Sequence, residues 1–557
     1  MKLPVAGASP WSSEVDVVVV GGGAAGMAAA LIASIEGLQV LLCEASPQVG
    51  GTAATSAGTV WIPGDTREAE AYLEHLMGGS MPRDKLAAYL GTGPLALEYL
   101  AARSEVKFSP AGKHPDYREL PGAAVAGRAF SPLPFDGRLL GEDFKRVRPP
   151  IEEFLVLGGM MVGKADIPRL VGRFRSAGNF VYSLRLLLRY LADRLAYPRG
   201  TRLLMGNALV ARLLYSLGQK SVPILFEAPI EELLRDGERV VGARVRQGHG
   251  VLTIRARKGV VLATGGFGRN PALRARLMPR EAQDRSLSHE GNTGDGIMLG
   301  TRIGATIPSG HRSGAFWAPV SMTSRRDGSQ GLFPHLLLDR AKPGLIAVNS
   351  SGRRFVNEAC SYHDFVEAMF RAQAVPAHLI CDASFVRKYG LGVIYPGTRD
   401  LGSHERAGYI SCAPSLEALA AKLSIAPAAL QATVDRHNAF AASGVDEDFG
   451  KGVAQLDRFN GDPGHAPNPC IGPIDQPPYC ALAVWPADLG VSAGLDSDVD
   501  GRVLDARGAP IAGLYACGSD MASIFMGTYP GPGTTLGPAL TFGYRIAMRA
   551  RAERLDA

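Results

Sequence analysis

The hydrophobic pattern opens on a short run of β-branched residues, Val15-Asp-Val-Val-Val-Val20, which predicts a buried parallel strand. Met27–Glu36 is Ala-rich and helical in character, and Val40-Leu-Leu-Cys-Glu44 predicts a second strand ending in an acid. A strand running into a glycine turn returns at Gly259-Val-Val-Leu-Ala-Thr-Gly-Gly-Phe267 and again at Gly513-Leu-Tyr-Ala-Cys-Gly518-Ser-Asp520. Helices are predicted over Ile297–Ile303 and Ala539–Ala550, the second entered through Pro538, whose missing N–H suits a first helical turn. Pieces of one unit this far apart imply a discontinuous domain. The expected fold class is α/β: a Rossmann-like domain over residues 1–302 and 481–557, with an inserted α+β catalytic domain over 303–480. A Leu/Arg-rich helical insertion is expected at about 150–220.

The glycines carry the first chemistry. Gly21-Gly-Gly23-Ala-Ala-Gly26 follows the first strand at once, so strand, G-x-G-x-x-G, helix, strand and carboxylate stand in the order of a dinucleotide fingerprint. Gly21 permits the tight turn, Gly23 lets the backbone reach a pyrophosphate, and Gly26 lets helix and strand pack closely. Ala25 lies in the same cofactor-facing turn, and Glu44 accepts from the ribose hydroxyls. Gly50-Gly51-Thr52 sits just past the acid, as in two-dinucleotide-fold flavoproteins, where such a stretch approaches the phosphates. This points to FAD rather than NAD, and Val60-Trp61-Ile62-Pro63 is expected under the isoalloxazine. Ala263, Gly265, Gly266, Asp295, Gly518 and Asp520 are further candidate cofactor contacts, Asp520 toward the ribityl or phosphate region. The stretch Gly527–Pro538 is too rich in Gly and Pro for helix or strand. Its glycines turn N–H groups inward, and the helix that follows presents free N–H groups around Thr535 and Leu536, suited to an anionic reduced flavin. Tyr529 beside the backbone donor Gly533 suits a carbonyl oxygen and its enolate.

Composition alters this picture little. The chain has 557 residues, 46% hydrophobic and 20% charged, which is long enough for two or more domains. Glycine, at 68 residues, is well above average usage and fits nucleotide-binding loops. A net charge of +6, spread widely, is too weak to argue for nucleic acid. The seven cysteines form no CxxC pair and no metal-like spacing with His, so no metal is expected and a reducing cytoplasm fits. Met1–Glu14 lacks a basic segment followed by an apolar one, and no long apolar run occurs, so neither signal peptide nor spanning helix is expected. Residues 167–215 stand apart: they are rich in Leu and Arg, and Asp193 is their only acid. The favoured reading is a cap-forming hairpin with solvated or snorkelling arginines. The alternative is peripheral contact with the inner face of an anionic membrane.

Together these stretches resemble the 3-ketosteroid Δ1-dehydrogenases, within the succinate dehydrogenase/fumarate reductase flavoprotein superfamily, from Val17 to Ala547. The fingerprint, Glu44, Gly50-Gly51-Thr52 and Gly291-Asn-Thr-Gly-Asp295 are superfamily-wide. Tyr529-Pro-Gly-Pro-Gly533, Pro115-Asp116-Tyr117 and Arg354-Phe-Val-Asn357-Glu358-x-x-x-Tyr362 are specific to the family. The sequence carries no firm signature of flavin attachment, so non-covalent FAD is expected, and the resemblance implies a 3-oxo-4-ene steroid whose A ring stacks on the flavin. The C3 oxygen then accepts from the Tyr529 hydroxyl and the Gly533 N–H, Tyr362 removes the C2 proton, and flavin N5 takes hydride from C1. Ionising an ordinary tyrosine at pH 7 costs about 4 kcal/mol, so Tyr117 is expected to donate to the Tyr362 phenolate and activity to rise toward alkaline pH. Phe316 and Trp317 are candidates for the steroid-facing wall.

The segment Asp488–Leu495 and His114 depart from the family pattern, and leave the preference for a C17 side chain open. Three alternatives stand beside this reading. One is a fumarate-reductase-type enzyme drawing on Arg353, Arg354, His311 and Arg312; the others are a ketosteroid Δ4-dehydrogenase and a non-catalytic membrane-docked flavoprotein. The electron acceptor is expected to be a quinone or a carrier protein.

Overall fold

The computed structural model describes residues 11–282, 285–325, 327–336 and 339–553. Most of the segment read for a signal peptide therefore lies outside the described residues. Strand β1 (Ser13–Val20), helix α1 (Ala24–Ile35) and strand β2 (Val40–Cys43) follow one another as the apolar pattern predicts. β1 pairs in parallel with β2 on one side and with β3 (Gly250–Leu262) on the other. Parallel neighbours need a crossover, and α1 supplies it. Short strands at Ile224–Leu225, Ile230–Asp236, Arg239–Gln247 and, from the far end of the chain, Arg502–Leu504 and Pro510–Ala516 complete an eight-stranded sheet. Val17–Val20 and Val260–Leu262 are buried, because both faces of the sheet's centre are covered. The alanines of α1 let the C-terminal helix approach closely: a Cβ on Gly543 would already lie 3.2 Å from the Ala29 nitrogen.

The Leu/Arg-rich block does not behave as one unit. Helix α2 (Ala177–Ala196) lies on the surface, with Tyr190 and Asp193 as its buried residues. Helix α3 (Met205–Gln219) is buried along almost its whole length. Its Arg212 is not solvated, since its guanidinium donates to the carbonyls of Leu133, Glu105 and Pro134 at 3.0, 2.6 and 2.7 Å. A hairpin with freely solvated arginines is thus corrected to one surface helix and one core helix.

A second, six-stranded sheet centres on β4 (Ala315–Ser324), antiparallel to β5 (Tyr479–Val491). Since β5 runs to Val491, the chain leaves this sheet eleven residues past the boundary read at 480. Helix α4 (Tyr362–Arg371) packs on β4, where the Trp317 N–H meets His363 Nδ1 at 3.3 Å. Helix α5 (Leu536–Ala552) closes the fold against α1. Among the described residues, no helix is long and apolar enough to cross a membrane.

Candidate active site

Three tyrosines from distant parts of the chain meet in one buried cluster. The Tyr117 hydroxyl donates to Tyr362 Oη at 3.0 Å, and the Tyr362 hydroxyl donates to Tyr529 Oη at 2.9 Å. The rings of Tyr117 and Tyr529 stack at 5.4 Å, and Tyr362 stands edge-on to both at 5.5 and 5.3 Å. Phe316 meets Tyr529 edge-on at 5.3 Å, and Ala318 and Leu456 join the same cluster. Water is largely excluded, and burial raises all three phenols well above their ordinary value of 10. They are neutral hydrogen-bond donors at neutral pH. A negative charge on the middle phenol would have the Tyr117 hydroxyl as a donor, and the Tyr529 hydroxyl as a second one only while no ligand oxygen takes its proton.

Each tyrosine is held by a different device. Tyr362 is the first residue of α4. The preceding Ser361 caps that helix, its Oγ accepting from the Asp364 N–H at 3.1 Å and donating to Asp364 Oδ2 at 2.9 Å. The segment leading into it is gripped by the buried Arg340 guanidinium. Its donors reach the carbonyls of His335, Leu336, Glu358 and Cys360 at 2.8, 2.8, 2.7 and 3.2 Å. The positive charge of Arg340 also opposes the burial penalty on Tyr117 and Tyr362. Tyr117 binds the Tyr529 loop directly, its N–H donating to the Pro530 carbonyl at 3.0 Å. Tyr72 donates to the same carbonyl at 2.7 Å. The acid of Pro115-Asp116-Tyr117 is the anchor of this arrangement. Asp116, 6% exposed, accepts from Trp61 Nε1 at 2.7 Å, the Ala124 N–H at 2.9 Å and Arg128 Nη1 at 2.6 Å.

Gly533 lies four residues beyond Tyr529 with φ of +102°, and a Cβ there would sit 2.5 Å from the Thr59 carbonyl oxygen and the Val60 backbone. Only glycine fits. Its carbonyl accepts from the Trp61 and Gly537 N–H groups at 3.3 and 2.9 Å, but its own N–H meets no acceptor among the described residues. The N–H groups of Thr535 and Leu536, where α5 begins, are equally free. Unpaired donors at a helix start beside a buried cluster invite an acceptor from a ligand.

The fingerprint glycines divide into two kinds. A Cβ on Gly21 would collide with the Ala263 carbonyl, and one on Gly26 with the Gly21 carbonyl, so packing alone requires both. A Cβ on Gly23 meets nothing within 4 Å. Its small size leaves open room at the start of α1, where a pyrophosphate fits. Glu44 accepts from the Gly22 and Ser46 N–H groups, both at 2.7 Å, and burial raises its carboxyl. Gly50 and Gly51 have φ of +116° and +47°. Thr52 Oγ1 accepts from the His289 N–H at 2.9 Å and from Asn292 Nδ2 at 3.0 Å, tying this turn to the Gly291–Gly296 loop. Asp295 begins the next helix and accepts from Thr293 Oγ1 at 3.0 Å. Ala263, Gly265 and Gly266 follow the end of β3, and Gly518 approaches Ala25 so closely that a Cβ on it would lie 2.8 Å from the Ala25 Cβ. Asp520 is fully buried and spends both oxygens on the protein. It accepts from the Thr264 N–H at 2.5 Å, Thr264 Oγ1 at 3.0 Å and the Gly266 N–H at 3.0 Å, and burial raises its carboxyl to about 6. These residues fit FAD, with Asp520 clamping the cradle rather than facing open space.

Other expected site residues fall elsewhere. Phe316 joins the tyrosines, but Trp317 points to the opposite face of β4, as a period of two demands. It is fully buried in the main core, where its Nε1 donates to Ser313 Oγ at 2.7 Å. Arg354 is pinned between Glu358 and Asp446 at 2.8 Å each, and His311 sits 3.1 Å from Ser492 Oγ. Asp488 is a buried partner of Arg274, Ser286 and Ser288. His114 packs on Phe459 at 4.7 Å and lies 6.1 Å from Tyr117, filling an aromatic's place. The anchoring roles of Arg128 and Arg340 had no sequence signal, because neither stands in a motif with its partners.

The chain matches the FAD binding domain family over residues 16–536. It is 38% identical over 548 residues to 4-oxocyclohex-2-ene-1-carboxylate 5-dehydrogenase of Sinomonas cyclohexanicum, covering 95% of this chain and 92% of that one. It is 36% identical over 563 residues to 3-oxosteroid 1-dehydrogenase of Mycolicibacterium smegmatis, covering 96% and 97%. Among solved structures, 3-ketosteroid delta1-dehydrogenase from Sterolibacterium denitrificans, in complex with 1,4-androstadiene-3,17-dione, matches with a TM-score of 0.90. That match is 36% identical and covers 97% of this chain and 100% of that one.

Proposed function

This chain belongs to the 3-ketosteroid Δ1-dehydrogenase family of FAD-dependent oxidoreductases, and from that membership we propose that it introduces a C1–C2 double bond into a 3-oxo-4-ene steroid. The observation that carries the reading is the chain of three buried phenols ending at Tyr529, with the free Gly533 N–H in the same loop. Tyr529 and Gly533 bind the C3 oxygen and stabilise the charge it gains when C2 is deprotonated. Tyr362, once ionised by loss of its own proton to solvent, accepts the C2 proton as a phenolate and becomes the neutral phenol, and Tyr117 donates to its oxygen while the charge is there. Phe316, Ala318 and Leu456 supply the apolar wall. FAD, when bound, supplies the two-electron acceptor. Gly23, Glu44, Gly50, Gly51, Thr52, Thr535 and Leu536 hold it without a covalent bond, so acid precipitation releases the flavin; flavin that stays with the pellet refutes this. In this scheme residues 1–302 and 481–557 carry the cofactor, and 303–480 bring Tyr362 and Phe316 to it.

Charge distinguishes this reading from its rivals. A fumarate-type site needs cations free to clamp carboxylates, and Arg354 is already bound by two acids. A 4-oxocyclohexene carboxylate is a second reading, prompted by the relative at 38% identity and by Lys164, whose Nζ lies 4.3 Å from the Phe459 ring centroid. Arg340, the cation beside the tyrosine cluster among the described residues, already donates four hydrogen bonds to backbone carbonyls, which disfavours its capture of a carboxylate. The test is anaerobic bleaching of the bound flavin by androst-4-ene-3,17-dione, cholest-4-en-3-one or 4-oxocyclohex-2-ene-1-carboxylate. Bleaching by a steroid, with the 1,4-diene as product, supports the proposal. Bleaching by the monocyclic acid alone overturns it.

A further inference from the structure

Three cysteines form a row across the second sheet. Cys480 on β5 lies directly opposite Cys412, on the short strand Ser411–Ala413, and directly opposite Cys381, on the strand Ala377–Asp382. Directly opposed residues of an antiparallel pair point to the same face and stand about 4.5–5.5 Å apart at Cα, inside the range of about 4.4–6.8 Å that a disulfide spans. Of the two neighbours, Cys412 is the one whose sulfur meets that of Cys480. The Sγ atoms are 2.8 Å apart, closer than van der Waals contact and within about 1 Å of the bonded separation.

The two sulfurs differ in access and in acidity. Cys412 is 8% exposed, on a strand that pairs in this sheet with β5 alone, whereas Cys480 and Cys381 are fully buried. Its backbone is held by a pair of surface charges. The Cys412 N–H donates to Glu405 Oε1 at 2.9 Å, and the Cys412 carbonyl accepts from Lys422 Nζ at 2.5 Å. The hydrogen bond from Cys480, helped by the Lys422 charge, pulls the Cys412 thiol below its ordinary value against burial and Glu405. Cys480 is pushed up by the same sulfur contact and by burial. An accessible, more acidic thiol beside a buried, less acidic one is the division of labour between an attacking and a resolving cysteine.

We propose that Cys412 and Cys480 are a peroxide-responsive dithiol that closes to a disulfide. The oxidant is hydrogen peroxide, which a reduced flavin makes when it passes its electron pair to dioxygen. The Cys412 thiolate attacks one peroxide oxygen, the O–O bond breaks, and the hydroxide released takes up the proton that Cys412 gave, leaving as water. The Cys480 sulfur then attacks the sulfenic sulfur. The S–S bond forms, the S–O bond breaks, and the Cys480 proton leaves with the second water. Two thiols lose two electrons and two protons, and peroxide gains both. A small thiol reverses the change by exchange. The bridge closes residues 412–480 into one loop, which carries Leu456 of the tyrosine cluster. The inference rests on the protein being a flavoprotein and not on the steroid reading.

The test treats the reduced, FAD-loaded protein with hydrogen peroxide, blocks the remaining thiols with iodoacetamide under denaturation, and maps the peptides by mass without reductant. The wild type should give a joined Cys412–Cys480 peptide pair, two hydrogens lighter than the separate peptides, and dithiothreitol should restore both thiols. Cys480→Ser should stop at a Cys412 sulfenic acid that dimedone traps, Cys412→Ser should give no bridge, and Cys381→Ser should leave the bridge in place. The flavin spectrum checks the folding of each variant, and the wild-type map is decisive without them. Full alkylation of Cys412 and Cys480 after peroxide overturns the proposal. So does a bridge through Cys381, or oxidation confined to the partly exposed Cys360.

Discussion

Replacing Tyr117 by phenylalanine isolates one hydrogen bond in the proposed proton path. The ring keeps its stack on Tyr529 at 5.4 Å, and the backbone N–H keeps its bond to the Pro530 carbonyl at 3.0 Å. Only the hydroxyl that donates to Tyr362 at 3.0 Å is lost. A hydrogen bond to a charged group is worth roughly 1.5–3 kcal/mol, so if Tyr362 develops phenolate character the chemical step should slow by about ten- to a hundredfold. Steroid affinity should hardly change, because the C3 oxygen is bound by Tyr529 and Gly533. The pH dependence should move as well. Burial already holds the Tyr362 phenol well above 10, and a phenolate deprived of a hydroxyl donor is harder to form. The variant's rate should therefore rise only at more alkaline pH than the wild type's. Anaerobic stopped-flow bleaching of the flavin across pH, with saturating steroid, measures both effects. A single-turnover rate within about twofold of wild type at every pH would refute the role of the phenol chain, since it leaves less than ~0.5 kcal/mol for the bond.

Further expectations follow from the same geometry. Gly23→Ala should fold with stability within about 1 kcal/mol of wild type and lose FAD affinity, because its Cβ meets only open room; Gly26→Ala should lose stability itself, and thermal melting with flavin fluorescence separates the two. Arg354→Ala should destabilise the fold by about 3–5 kcal/mol, since it removes the guanidinium shared by the buried Glu358 and Asp446 and leaves Lys451 as the cation paired with Glu358 among the described residues; a stable variant with impaired substrate binding would instead favour the dicarboxylate reading. His114, His289, His311, His363 and His437 are held near about 4 by burial, below the ordinary 6.5. The unfolded chain binds more protons between those values, so stability is fully present above 6.5 and falls as pH drops toward 4. A melting temperature that stays flat over that window would refute the burial of these rings.

The dinucleotide fold was legible because its signals are local. An apolar β-branched run, three glycines at fixed spacing, an Ala-rich helix and a carboxylate all lie within residues 15–44, and backbone sterics leave them few other arrangements. The Tyr-Pro-Gly-Pro-Gly stretch was legible for the same reason, since Gly533 meets a positive φ that few other residues accept. What tertiary structure decided were matters of facing and pairing. Phe316 and Trp317 are adjacent and both aromatic, and only the register of β4 against β5 assigns one to the tyrosines and the other to the core. Arg354 and Asp116 read as site residues or as nothing in particular until Asp446, Glu358 and Arg128 close on them. Tyr117, Tyr362 and Tyr529 are 245 and 167 residues apart in sequence, so no periodicity links them, and their hydroxyls meet only because two loops and the start of α4 pack together. Helix α2 shows the converse: its apolar stripe and arginines are plain in the sequence, while the side left uncovered depends on where Tyr190 and Asp193 fasten it. Spacing along a chain fixes local conformation, but burial and charge pairing are properties of surfaces that exist only once distant segments have met.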